Sequence, residues 1–452
     1  MNCIVKYNNF KVIIDKKGVR LVFRPILKDL KAIWVLDSRS NPTVEVFAYV
    51  QRKGDIFVDS FIVPSGASTG EFEALELRDN EKDFHGKGVS KAIKNVSFIL
   101  DHLYNTHVDD IFEVDRKLIE LDGTKNKSNL GANAILGVSV AIAKAVAKSY
   151  DMPFFKYLSF WTKNYEYYLP IPMMNIINGG VHADNDLDFQ EFMIVPLGFE
   201  DFSNAIKASS EVYNSLKKIL KENNLSVSVG DEGGFAPKID SPFKACEFII
   251  AAIEKSGYKV GKDFYISIDV AASSFFKDNK YIYLKTPITY KELINVYEKL
   301  ISSYPIFSIE DPFDENDWEA WKEFTNKYKN KILIVGDDIF VTNIERIEKG
   351  INNNVANAVL IKLNQIGTLS ETIKAIHLAN KNGYKTIISH RSGETEDNTI
   401  SHLATNNSYF IKTGAPARSE RNSKYNELLR IYNFYNLNYY ATLYKSNYLV
   451  TS

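Results

Sequence analysis

Three carboxylates, each at the end of a short apolar run, raise the question of chemistry in this chain. They stand in Ile268-Asp269-Val270, Ser308-Ile309-Glu310-Asp311-Pro312 and Gly336-Asp337-Asp338. Any one alone reads as the cap of a following helix. Three at successive strand ends read as a metal site, because gathered like charges repel unless a cation neutralises them. Oxygen ligands without Cys or a close His pair suit Mg²⁺ rather than Zn²⁺. Lys362 sits in Val359-Leu360-Ile361-Lys362-Leu363-Asn364. A lysine pointing into a barrel beside a divalent cation is expected to have a lowered pKa, and a neutral amine of that kind is a candidate general base. The plainer reading is a lysine whose head snorkels to water. Lys412, in Phe410-Ile411-Lys412-Thr413-Gly414, is similar, with an anion clamp as the simpler role.

Gly230-Asp231-Glu232-Gly233-Gly234 sets Glu232 among glycines, where backbone can approach a ligand closely; in isolation it reads as a loop cap. Ser389-His390-Arg391-Ser392-Gly393-Glu394 gathers imidazole, guanidinium and hydroxyl donors suited to a phosphate, or else a polar loop bonded to itself. Pro64-Ser65-Gly66-Ala67-Ser68-Thr69-Gly70 has the small residues of a mobile lid and lacks the Gly-Lys-Ser/Thr ending of a P-loop. Asn178-Gly179-Gly180-Val181-His182-Ala183 reads as a second lid, its histidine in isolation a packed loop residue. Together these groups predict removal of a proton α to a carboxylate. Paired Mg²⁺ ions can stabilise the doubly charged product while a lysine takes the proton. Hydroxide leaves poorly, so a carboxylic acid opposite must protonate it.

Such groups need a scaffold that brings them together. Residues 43–50 and 56–63 are β-rich runs separated by Arg52-Lys53-Gly54-Asp55, which predicts a hairpin. The small and apolar run from Leu130 to Ala147 predicts a buried helix. We expect a leader over residues 1–29 with weak strand character at Lys11-Val12-Ile13-Ile14, an N-terminal α+β capping domain over 30–165 and a catalytic domain over 166–452. In the last, eight strands are expected to end at Glu191, Glu232, Asp269, Glu310, Asp337, Lys362, His390 and Lys412, each interval long enough for a strand, a helix and two loops. That spacing predicts an α/β fold with a TIM-type eight-stranded barrel, whose chemistry lies at the C-terminal ends of its strands. An open doubly wound sheet would carry a Gly-rich dinucleotide turn, which is absent.

Composition narrows the class further. The 452 residues are 45% apolar and 25% charged, with a net charge of −1 and no basic block for nucleic acid. Two cysteines, Cys3 and Cys246, argue against a disulfide framework and fit a reducing cytosol. No apolar run approaches bilayer length, and the first residues lack the pattern of a signal peptide, so a cytoplasmic location is expected.

Residues 65–70, 178–185, 190–196, 230–237, 308–313, 360–367, 389–397 and 411–416 resemble, in order, the signature segments of bacterial-type enolases. The resemblance runs from about Leu30 to Ile431. It implies a glycolytic, Mg²⁺-dependent lyase that interconverts 2-phosphoglycerate and phosphoenolpyruvate. By the same resemblance Lys362 is the base, Glu232 the acid and Glu191 its support. Asp269, Glu310 and Asp337 hold one Mg²⁺, and Ser68 helps hold a second. Gln190, His182, His390, Arg391, Ser392 and Lys412 contact substrate. It implies a homodimer or a multiple of one, with Glu45 and Arg430 matching an inter-subunit ion pair. Four departures stand out: Ser40 for Gly, Ile33 for Arg (removing a partner of Glu420), Ser274 for an acid, and a segment 404–410 one residue short. Other readings are a sugar-acid dehydratase or cycloisomerase of the same superfamily, which usually lacks the 65–70 and 389–392 segments, and an enolase scaffold serving also as a cell-surface or secreted plasminogen-binding adhesin.

Overall fold

The computed structural model describes residues 3–7, 10–15, 18–21, 23–66, 72–183 and 185–448. The leader forms a small antiparallel sheet of Cys3–Tyr7, Phe10–Asp15 and Gly18–Leu21. After it, strands Ile26–Leu36, Pro42–Arg52 and Asp55–Ile62 make an antiparallel meander. The expected hairpin is present. Lys53 and Gly54 carry φ of 56° and 96°, the paired positive values of a tight two-residue turn that follows the strand twist. Val44, Val46, Ala48 and Val50 alternate along one buried face. Helix Ala132–Ser149 packs on that face, and a Cβ at Gly137 would come within 2.5 Å of Val46 Cγ2. Against the expectation that no apolar run approaches bilayer length, this 18-residue helix is long and apolar enough to cross a membrane, but 89% of it is buried in the protein, as in a core helix.

The barrel strands, numbered β1 to β8, are Ile171–Asn178, Glu191–Val195, Tyr265–Asp269, Ile306–Glu310, Leu333–Gly336, Ala358–Ile361, Lys385–Ser389 and Phe410–Lys412. They close in chain order, β8 pairing with β1. The eight-stranded barrel is as expected, but two of its parts are not. Strand β1 bears no charged residue at its end and went unmarked in the sequence. Glu232 lies on no strand. Its loop falls between helices Phe202–Glu222 and Pro242–Lys255, which follow β2 in succession.

Strand β2 also runs antiparallel to both neighbours. Residues 179–190 join it to β1 with no crossover α-helix among those described, and without one the chain reverses direction. Glu191 therefore begins its strand instead of ending it. Antiparallel pairing still brings it to the same mouth, with Asp269 opposite Glu191 on one side and Glu310 on the other.

Candidate active site

Register puts Glu191, Asp269 and Glu310 in one row, and β8 sends Lys412 into it. The ammonium lies 2.8 Å from Glu310 Oε1, 2.9 Å from Asp269 Oδ2 and 3.1 Å from Glu191 Oε1. Burial opposes the charge of Lys412, but Asp269, Glu191 and Glu310 outweigh it and hold the group well above the usual lysine range.

Asp337 follows β5. Its two neighbouring amides, Asp337 N and Asp338 N, each donate to the Asp311 carboxylate at 2.9 Å. The side chain of Asp337 meets Lys362 Nζ through Oδ2, while Oδ1 accepts from Gln365 at 2.9 Å. The expected lowering of Lys362 is not seen. Burial, Arg391 and Lys412 push it down, yet the pairing with Asp337 prevails and the group is raised. The three carboxylates expected to hold a metal, Asp269, Glu310 and Asp337, do not form the tight cluster among the described residues: oxygens of Asp311, Asp337 and Asp338 fall within 4.8 Å of one another, as do ligand atoms of His182, Glu191 and Glu232. Lys412 draws in Asp269 and Glu310, while Lys362 and Gln365 take Asp337.

The opposite wall is built around Glu232. Its loop crosses close to the end of β1, where a Cβ at Gly230 would come within 2.9 Å of Asn178 Cβ and 2.6 Å of the His182 carbonyl oxygen, and Gly233 adopts a φ of 88°. Glu232 Oε2 accepts from Asn175 Nδ2 at 3.2 Å, and Oε1 lies 3.4 Å from His390 Nε2 and 3.7 Å from His182 Nδ1. Burial pushes Glu232 up, but the His390 and His182 imidazoles and the Arg421 guanidinium hold it well below the usual carboxylate range. Burial pushes His390 down to about 3 against the pull of Glu232, so its ring is neutral near pH 7. Glu191 is pushed up, by burial first and then by Glu232.

Arg391 is buried in the cavity lining, its guanidinium bonded to Glu73 at 3.0 and 3.2 Å and to Asn364 at 3.1 Å. Gln190, His182, His390, Arg391 and Ser392 line one cavity of about 260 Å³ with Glu191, Glu232, Asp269, Asp337, Lys362 and Lys412. Glu310 lies just beneath, fully buried against Lys412. Ser68 falls outside the described residues. The base of its segment is anchored to the barrel by reciprocal 2.8 Å backbone bonds between Ser65 and Gly393.

The donor set fits a hard cation. Eight carboxyl-bearing residues line the cavity against three cationic ones, Lys362, Arg391 and Lys412. Glu310 Oε2 and Glu191 Oε2 are buried with no hydrogen-bond partner among the described residues. Burial and Asp269 push Glu310 well up, and burial and Asp337 push Asp338 up to about 8. An excess of this kind is relieved by protons or by a divalent ion with oxygen ligands.

Several residues of the site left no mark in the sequence. Asn175 sits within the unmarked β1, and Arg421 lies on helix Ser419–Tyr435, where it donates to His390 Nδ1 at 2.5 Å and to the Arg391 carbonyl at 2.7 Å. Glu73 is one acid in an acid-rich stretch. Gln365 had a signal, its place three residues after Lys362 on the same turn.

Family comparison agrees with this architecture. Residues 27–158 match the family model described as the enolase N-terminal domain, and residues 166–444 match that of the enolase C-terminal TIM barrel domain. These two matches take in most of the chain, the cap and the barrel with its acid-rich mouth alike, and the chain belongs to the enolase family.

Proposed function

We propose that this protein is a glycolytic enolase, a Mg²⁺-dependent lyase that reversibly dehydrates 2-phosphoglycerate to phosphoenolpyruvate. The observation that carries the reading is the meeting of Lys362, Glu232 and Arg391 in one small cavity, from segments far apart in sequence. Lys362 takes the α-proton. It is protonated here because Asp337 faces it; once that charge is neutralised, burial, Arg391 and Lys412 all push the amine toward its basic form. Glu232 then protonates the departing hydroxide. Its own proton is favoured when an anionic substrate arrives beside it, the direction in which burial already pushes. Arg391 and Ser392 hold the phosphate, with His390, His182, Gln190 and Lys412 around the rest of the substrate and Glu191 beside the acid. Asp269, Glu310 and Asp337 would hold one Mg²⁺ and Ser68 would help hold a second. When bound, the ions supply positive charge against the doubly charged carboxylate that proton removal creates. Absorbance of phosphoenolpyruvate formed from 2-phosphoglycerate, with and without Mg²⁺, tests the assignment: product without Mg²⁺, or none with it, removes it.

We also propose a homodimer or a multiple of one. Strand Ile26–Leu36 is an edge of the cap sheet and exposes Ile33, Trp34 and Leu36, with Trp34 against Phe84 at 5.2 Å. An apolar edge of this kind favours a covering partner. Glu420, which has lost its expected partner at position 33, pairs within the chain with Arg418 at 2.6 Å. A monomer by light scattering at micromolar concentration would remove this proposal.

A further inference from the structure

This inference rests on reading Asp337 as a Mg²⁺ ligand, because the rotation of its carboxyl then matters to both the metal and the base. Oδ2 of Asp337 faces Lys362 Nζ, and Oδ1 accepts from Gln365 Nε2 at 2.9 Å. Gln365 is itself held: its Oε1 accepts from the Thr342 hydroxyl at 2.8 Å, and that hydroxyl accepts the backbone N–H of Lys362 at 2.9 Å. The bonds thus form a closed ring that starts at the backbone of Lys362 and returns to its ammonium.

The ring has a fixed direction. A backbone N–H can only donate, and an ionised carboxylate can only accept. The single hydroxyl hydrogen of Thr342 is therefore free for Gln365, and the amide must turn its nitrogen to Asp337. A flipped amide would set oxygen against oxygen. Thr342, Gln365 and Asp337 are 0%, 1% and 6% exposed, so water does not compete for these bonds. The turn that delivers Thr342 is strained: Val341 and Thr342, both β-branched, hold φ of 43° and 56°. Such residues rarely enter the left-handed region, and strain of this kind gathers at functional sites.

We propose that Gln365, oriented by Thr342, is a positioning residue that occupies one oxygen of Asp337 and leaves the other to face the cavity, setting both the Mg²⁺ affinity of Asp337 and its hold on Lys362. A polar residue that merely fills the core would affect stability without touching metal affinity.

The test is calorimetric titration of Mg²⁺ into the full-length protein without substrate, on variants shown to be folded by circular dichroism. Gln365→Leu and Thr342→Val should each weaken binding about 10- to 100-fold, the range for partners that orient a metal ligand. Thr342→Ser, which keeps the hydroxyl, should restore most of the affinity lost in Thr342→Val. Thr342→Val keeps the shape of the side chain and carries the test alone if Gln365→Leu does not fold. Wild-type affinity in a folded Gln365→Leu or Thr342→Val, beside lost affinity in Asp337→Asn, overturns the positioning role. Equal loss in the serine and valine variants overturns the hydroxyl ring. Wild-type affinity in Asp337→Asn shows instead that the metal assignment was at fault, and this inference falls with it.

Discussion

Lys362 and Lys412 follow or end β6 and β8 of the same barrel, and each stands beside apolar residues. In sequence they look alike. In the fold Lys412 has three carboxylates within 3.1 Å, while the only carboxylate paired with Lys362 among the described residues is Asp337, whose other oxygen is already given to Gln365. Lys362 also feels Arg391 and Lys412 as like charges. An ammonium with three partners has nowhere better to leave its proton. One with a single, shared partner can lose it when that partner is occupied. The number of partners, more than burial, separates a lysine that organises charge from one that can act as a base.

The most direct way to break the comparison is to separate the acid from the base. Lys362→Ala should lower dehydration by at least about 10²–10⁴-fold, the usual contribution of a positioned proton acceptor, and should also abolish α-proton exchange. Glu232→Gln should still exchange the α-proton of 2-phosphoglycerate with D₂O while forming little phosphoenolpyruvate. Proton NMR in D₂O with Mg²⁺ reads both, and exchange by the alanine variant alone would reverse the two roles.

Next in size is the wall proposed to hold the metal. Asp337→Asn removes a charge and a proposed oxygen ligand, so Mg²⁺ affinity by calorimetry should fall strongly; an unchanged value would remove Asp337 from the proposed metal site.

The third comparison is one of stability. Lys412→Met strands three buried carboxylates and should destabilise the fold by about 3–5 kcal/mol near pH 7. Added Mg²⁺ or lower pH should recover part of this, since either relieves the same repulsion. Lys362→Met leaves Asp337 with its Gln365 bond and should lose less. Equal shifts in Tm for the two variants would dissolve the distinction.

His390 supplies a smaller, pH-dependent effect on the Glu232 wall. Its folded pKa is depressed from 6.5 to about 3, so the fold favours the neutral ring. The stability it contributes is full above about 6.5 and is lost as pH falls toward 3. Denaturant titrations of wild type and His390→Gln across that window should converge at low pH; parallel curves would mean that the ring titrates normally.

The smallest expected effect lies outside both walls. Ser40 holds a φ of 60°, in the left-handed region that favours glycine. Ser40→Gly should therefore stabilise the protein by about 1 kcal/mol, read as a raised denaturation midpoint with activity unchanged.

The sequence by itself determined the barrel, the capping hairpin, the buried helix and many, though not all, of the residues that line the cavity. Those features rest on local pattern: apolar runs short enough for strands, a Lys-Gly turn, small residues along a helix, and charged groups at strand ends. Tertiary structure alone decided what those groups do to one another. The antiparallel β2, the unmarked β1 and the placing of Glu232 on a loop follow from how the chain reverses, which no charge at a strand end reveals. The raised pKa of Lys362, the neutral ring of His390 and the ring of bonds through Gln365 depend on partners brought from distant segments. Electrostatic interactions act through space at a few ångströms, so they are fixed only when the fold has set those distances.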